Sequence, residues 1–317
     1  MSLFQKRRHV TGNSLPRPPV VPPYLWVPVV GITGLGLYTY YAFLDEVPLT
    51  KRKRWIATTP QFEEQIGDQQ YQQLLQQYKG KILPESHRAS VTVRRVGGRI
   101  AKASEKFVAD EKLEFASKSP YSYTVVRSDE ANAFVLPNNH VFVLTGLFNY
   151  VKDEDELAAV LGHEVAHNLA RHVGERLSGG VLVQIIGGFL LLLDPSGVLT
   201  YFFLPVVNIL RELPHSREHE SEADRIGIHL AATACHDPRA AKRVFEAMGK
   251  GISGAPPEFL STHPSHSTRI VQFDEWLPSA IQEYEGEFGN RCSSVRSDMQ
   301  AARRLAAEDV SQRERRK

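Results

Sequence analysis

Residues 163–167 read His-Glu-Val-Ala-His, inside a stretch whose pattern demands a buried helix. Two histidines four apart on a helix project from the same face, one turn apart. Asp153 stands ahead of the run as an N-cap, with Glu156 three residues on and acids in the first turn, where they complement the helix dipole. On the helical wheel Leu157, Leu161, Val165 and Leu169 take one side, while Ala159, Ala166, Ala170 and Gly174 surround the histidines on the other. A helix apolar all round belongs in the interior. Histidines and a glutamate buried there need partners, and this spacing lets two imidazoles share one tetrahedral zinc ion. Glu164 between them can act as general base toward a metal-activated water. His172 falls about 180° from His163 on the same wheel, which leaves it out of the ligand set.

A third ligand is expected on a second helix, and residues 216–232 offer three glutamates. Periodicity sorts them. Glu220, Asp224, Gly227, Ala231 and Ala234 share one face, small and apolar apart from the two acids. Glu218, Glu222, Arg225 and His229 share the opposite face, which reads as a solvated surface. Acids on a buried face are costly without a task. Glu220 is therefore expected as third zinc ligand, and Asp224 as the acceptor that fixes a ligand histidine's tautomer. A local salt bridge is the plainer role for Asp224.

The rest of the chain sets bounds. Of 317 residues, 42% are hydrophobic and 23% charged, which are globular values. A formal charge of +2 gives no case for nucleic acid, and two cysteines cannot build a cysteine-rich zinc site. Residues 1–23 carry Lys6, Arg7, Arg8 and Arg17 with no acid, and read either as a targeting region or as a basic tail. Residues 24–44 carry no charge and are long enough for one transmembrane helix, with aromatic residues toward both ends. Basic residues flank this span on both sides, so its orientation is not readable. Residues 45–84 read as a juxtamembrane linker and a polar helix with Tyr71, Leu74, Leu75 and Tyr78 as its apolar stripe. A helix is expected over 91–112, and strands over 122–127, 132–136 and 140–144, the last two joined by the turn Pro137-Asn138-Asn139. Residues 85–290 make the catalytic domain, and 291–317 a polar, basic tail. Between the two zinc helices lie apolar runs at 181–193 and 197–210, each too short to span a bilayer. They read as a hairpin that touches or dips into the membrane, the alternative being a buried core hairpin. A further helix starts at Asp237-Pro238, and another opens after 261.

The motif His163-Glu-Val-Ala-His167 followed by Glu220-Ser-Glu-Ala-Asp224 resembles the HtpX/BepA-type zinc metallopeptidases, from about residue 85 onward. The stretches 132–147 and 262–270 belong to the same likeness. The uncharged span followed by Leu44-Asp-Glu-Val-Pro-Leu-Thr-Lys-Arg-Lys-Arg-Trp is similar to a mitochondrial inner-membrane subgroup whose activity overlaps with the matrix-facing AAA protease. Lys51 stands where that subgroup often has glycine, a departure outside the site. The resemblance implies an α+β, mainly helical fold of zincin type, with a small sheet lining the cleft. It implies one zinc ion on His163, His167 and Glu220, with Glu164 as base. His263, in the loop before Pro264, would either face the zinc site, stabilising an oxyanion or taking the open metal position, or be ordinary surface. Arg269 would have a structural or substrate role. The expected partners are inner-membrane protein substrates, membrane lipid and further copies of the chain, with no nucleic acid, and the catalytic domain would face the intermembrane space. In that compartment Cys235 and Cys292 either pair or stay as two thiols. A zinc-bound chaperone-like or scaffold module is the alternative function, opposed by the presence of Glu164.

Overall fold

The computed structural model describes residues 26–114, 116–117, 119–199, 201, 203, 217–251, 257–263, 267–286 and 292–293. Two compact units divide the chain, one up to Leu44 and one from Asp45 onward. The first contributes α1 (Trp26–Ala42), uncharged along its length, with Leu35, Leu37, Tyr38 and Tyr41 exposed. It falls within the expected span at 24–44. The tails expected at 1–23 and beyond 293 lie outside the described residues, as does most of the apolar run 197–210.

The hairpin of β1 (Leu44–Glu46) and β2 (Lys53–Trp55) turns through Leu49 and Lys51, both at positive φ. Val47 at its bend is fully buried in the core. Next comes α2 (Pro60–Gln77), capped by Thr59, whose hydroxyl accepts from Phe62 N at 3.3 Å. Its stripe of Tyr71 and Leu74, with Tyr78 just beyond, packs on a small cluster of Val126, Leu136, Phe142 and Leu144. In α3 (Arg88–Asp110), Val93, Val96, Gly97, Ile100 and Ala103 are buried at helical spacing. Three strands form one sheet in the order β3 (Ser122–Val126), β5 (His140–Leu144), β4 (Ala133–Val135). β5 runs parallel to β3 and antiparallel to β4, Phe134 standing opposite Phe142. The turn into β5 is where it was expected, closed by Leu136 N donating to His140 O at 2.8 Å, with Asn139 at φ 63°. β4 forms the edge of this sheet and packs on α4 (Glu154–Leu169).

Asp153 caps α4 as expected, accepting from Glu156 N at 2.8 Å, while Glu156 reaches back to Lys152 N at 2.8 Å. Every residue from Glu156 to His167 is buried. The helix stops at Leu169 because Arg171 turns left-handed, at φ 49°. His172 therefore opens a new helix, α5 (His172–Leu193), and Gly174 belongs there rather than to the zinc helix. One helical phase does not run from His163 to Gly174, because the chain breaks at Arg171, where no Gly or Pro marks it.

The apolar run 181–193 is also more than it looked. It continues a helix begun nine residues earlier, and His172–Leu192 is long and apolar enough to cross a membrane. Leu182, Ile185, Phe189 and Leu192 are exposed on it. Beyond lie α6 (Arg217–Thr233), α7 (Arg239–Lys250), the short α8 (Glu258–Thr262) and α9 (Ser267–Glu285). Ala234 lies past the end of α6, and Cys235 follows at φ 63° to form a disulfide with Cys292. The fold is mainly helical with small sheets, the class expected.

α4 and α6 share the most extensive interface, and it is built on two glycines. A Cβ on Gly162 would lie 2.8 Å from Gly227 O, and one on Gly227 only 2.9 Å from His163 N. Only glycine permits backbones to meet this closely. That approach sets His163 opposite Glu220 and Asp224.

Candidate metal centre

His163 and His167 leave α4 one turn apart, Glu220 comes from the first turn of α6, and His263 follows α8. One ligand atom from each lies within 4.8 Å of all the others, and all four residues are buried. His163 Nε2 stands 3.1 Å from His167 Nε2 and 3.3 Å from His263 Nδ1. Glu220 Oε1 is 3.1 Å from His263 Nδ1 and 3.5 Å from His167 Nε2. Donors on a tetrahedral zinc stand about 3.3 Å apart, from metal–nitrogen bonds of about 2.05 Å. Glu164 Oε1 and Glu220 Oε2 are buried and make no hydrogen bond among the described residues. Converging imidazoles and a buried carboxylate suit zinc, and this donor set fits the ion that the sequence motif implies.

His263 is the sharpest gain over the sequence. A histidine before Pro264 reads as loop, yet it is 3% exposed, its Nε2 3.5 Å from Glu164 Oε1. Phe259, one turn back on α8, stacks against its ring and is itself fully buried. Arg269, from the first turn of α9, donates through Nη2 to Asp224 Oδ1 at 2.8 Å and through Nε to Asp224 Oδ2. Its Nη1 lies 3.3 Å from Glu220 Oε2, and its guanidinium sits 4.3 Å over the Phe245 ring. Asp224 faces His163 Nδ1 at 2.9 Å, the contact expected of a residue that orients a ligand.

Electrostatics follow from burial. Loss of water pushes the Glu164 carboxyl up to about 7, with the Glu220 charge adding and His263 opposing. Burial holds the His163 pKa below its ordinary value despite Asp224. For Glu220, burial is outweighed by the hydrogen bond with His263 and the charges of His163 and Arg269, which hold its carboxyl below the usual range. Asp224 is likewise depressed, burial being outweighed by Arg269 and by His163.

One expectation needs correcting. Glu222 is not a solvated acid: it is 4% exposed. Its Oε1 accepts from Arg52 Nε at 2.7 Å and Thr50 Oγ1 at 3.1 Å, and its Oε2 faces His172 Nε2 at 3.0 Å. At Glu222 the face that looked polar from α6 alone is covered by the β1–β2 hairpin and by α5, while Glu218 stays exposed. His172 lies outside the four-residue cluster but against it, its Nδ1 2.8 Å from His167 Nδ1. Burial pushes the His172 pKa down to about 4. Both residues escape one-helix periodicity because their partners come from other elements.

The family model of peptidase family M48 matches residues 97–277. The chain is 38% identical over 281 residues to "Mitochondrial metalloendopeptidase OMA1" of Schizosaccharomyces pombe, covering 87% of this chain and 79% of that protein. It is 34% identical to the protein of the same name in Saccharomyces cerevisiae, over 83% of this chain and 76% of the relative. "Metalloendopeptidase OMA1, mitochondrial" of Bos taurus is 32% identical over 81% of this chain and 51% of its own length. On these matches, which run well beyond the zinc motif, the chain belongs to peptidase family M48 and is a zinc-dependent endopeptidase of the mitochondrion.

Proposed function

We propose that His163, His167 and Glu220 hold the zinc ion and that Glu164 is the general base of peptide hydrolysis. The convergence of these buried groups on one point, with carboxylate oxygens that make no hydrogen bond among the described residues, supports the reading. Zinc held there would supply Lewis-acid chemistry, polarising a peptide carbonyl and lowering the pKa of a water. Glu164, buried beside the ligand cluster, takes a proton from the attacking water and passes it to the leaving amine. Asp224, pinned by Arg269, accepts from His163 Nδ1 and so keeps the Nε2 lone pair aimed at the metal. His263 is the fourth member of the cluster; it could complete the ligand set or hydrogen-bond an oxyanion.

Residues 24–44 serve as an inner-membrane anchor, supported by the uncharged helix α1, with the catalytic body in the intermembrane space. The exposed apolar stretch of α5 is a second membrane contact. Residues 1–23, 45–84, 85–290 and 291–317 are taken as the targeting region or tail, linker with polar helix, peptidase domain and basic tail. The substrates are inner-membrane proteins removed in quality control, and the enzyme works as a homo-oligomer. Substrates bind as extended segments along the edge strand β4, which packs against the zinc helix. The test is purified protein in detergent, assayed for zinc and for cleavage of an unfolded reporter. Glu164→Gln should retain zinc and lose cleavage by several orders of magnitude; equal cleavage by variant and wild type refutes the mechanism.

A further inference from the structure

Two contacts beyond the ligand set can be read for the direction of their protons. Glu222 is held on one side by Arg52 and Thr50, both of which donate to it. Arg52 is itself braced by a fork to Glu175, with bonds of 2.8 and 2.7 Å. An ionised carboxylate only accepts, so the contact of 3.0 Å between Glu222 Oε2 and His172 Nε2 requires a proton on that nitrogen. In a neutral ring, His172 Nδ1 is then a bare lone pair. It faces His167 Nδ1 at 2.8 Å, where one partner must donate. His167 supplies that proton. Its Nε2 is left unprotonated and directed at His163 Nε2 and Glu220 Oε1, 3.1 and 3.5 Å away. The opposite arrangement, a proton on His172 Nδ1, would leave a lone pair against the carboxylate and remove the one a metal needs at His167 Nε2.

We propose that His172 is a positioning residue for the metal centre: with Glu222 and Arg52 it forms a hydrogen-bond relay that fixes the tautomer and ring orientation of His167. The relay rests on the reading of His167 as a metal ligand. The two ligand histidines are thereby oriented differently, His163 directly by a carboxylate and His167 through a second imidazole. The site thus includes the β1–β2 hairpin, whose turn supplies Thr50 and Arg52. The same hairpin holds the break between the helices, since the buried Arg54 donates through Nη1 to Ala170 O. His219, stacked on the His172 ring at 4.3 Å, limits its movement.

The test measures zinc affinity by chelator competition, on the full chain in detergent, with cobalt(II) absorption as a second readout. His172→Phe keeps a flat ring in the slot and removes the acceptor. It should raise the zinc Kd about 10- to 100-fold and alter the cobalt bands. His172→Gln, whose amide can accept from His167 and donate to Glu222, should stay within about threefold of wild type. Wild-type affinity and cobalt spectrum in His172→Phe overturn the proposal, as does a loss in His172→Gln equal to that in His172→Phe. If zinc-free His172→Phe shows no cooperative melting, Glu222→Gln decides: its weaker acceptor should raise the Kd several-fold, and an unchanged Kd overturns the relay. His167→Ala separates the two readings, because wild-type affinity in that variant removes His167 from the ligand set whatever His172 does.

Discussion

Gly227→Ala adds one methyl group at the point where α4 and α6 meet. Its Cβ would stand 2.9 Å from His163 N and 3.0 Å from Gly162 C and His163 Cα. All three are backbone atoms, which cannot rotate aside. Carbon contacts are relaxed near 3.5 to 4.0 Å, so the helices must part by roughly half an ångström or more. Overpacking of this kind costs about 1–3 kcal/mol, against up to about 1 kcal/mol regained from alanine's helix propensity. A net loss near 1–2 kcal/mol should lower Tm by about 2–8 °C for a body of this size. Function should suffer as well, because the 2.9 Å contact between His163 Nδ1 and Asp224 Oδ1 crosses the same interface. A weakened Asp224 contact should reduce zinc affinity about tenfold. Calorimetry of the zinc-free protein and chelator competition on the loaded protein give the two numbers. Gly179→Ala is the control: it makes the same chemical change in α5, with nothing within 4 Å of the new methyl. It should be neutral or gain up to about 1 kcal/mol. If Gly227→Ala melts no lower than Gly179→Ala and holds zinc as tightly as wild type, the close approach of these helices does not set the site.

Among the acids of α6, zinc content should collapse in Glu220→Ala and fall about 10- to 100-fold in affinity in Asp224→Ala. Glu222→Ala should cost about 3 kcal/mol in a denaturant melt, because it leaves Arg52 and His172 facing an empty acceptor; a change below about 0.5 kcal/mol refutes the buried role. Replacing both Cys235 and Cys292 by serine opens a cross-link spanning 57 residues. The chain-entropy model puts that at about 4 kcal/mol, seen as a lower melting temperature, and reductant should shift the gel mobility of the wild type alone. A chain beginning at Leu44, which lacks α1 but keeps the hairpin, should still float with anionic lipid vesicles through α5. Replacing Ile185, Phe189 and Leu192 by serine should release it, and flotation that survives those changes assigns the contact elsewhere.

The local pattern determined a good deal by itself. The capped, all-apolar helix around His163, Glu164 and His167 follows from short-range periodicity, and so do the edges of β5 and the separation of Glu220 and Asp224 from Glu218. These depend on one element at a time, where a side chain's direction follows from its own backbone. The likeness to zinc metallopeptidases brought His263 and Arg269 to attention, but their place in the buried cluster belongs to the fold. Other features depend on elements distant in the chain. Glu222 is buried because Thr50 and Arg52 cover it from more than 160 positions away. His172 faces His167 because the chain turns left-handed at Arg171, a residue that no turn signal marks. Gly162 and Gly227 are ordinary helix positions until α4 and α6 touch. The sequence by itself therefore determined which residues could hold the metal. Only tertiary packing decided which further side chains touch those residues, because a hydrogen-bond partner brought from another element leaves no trace in the periodicity of either one.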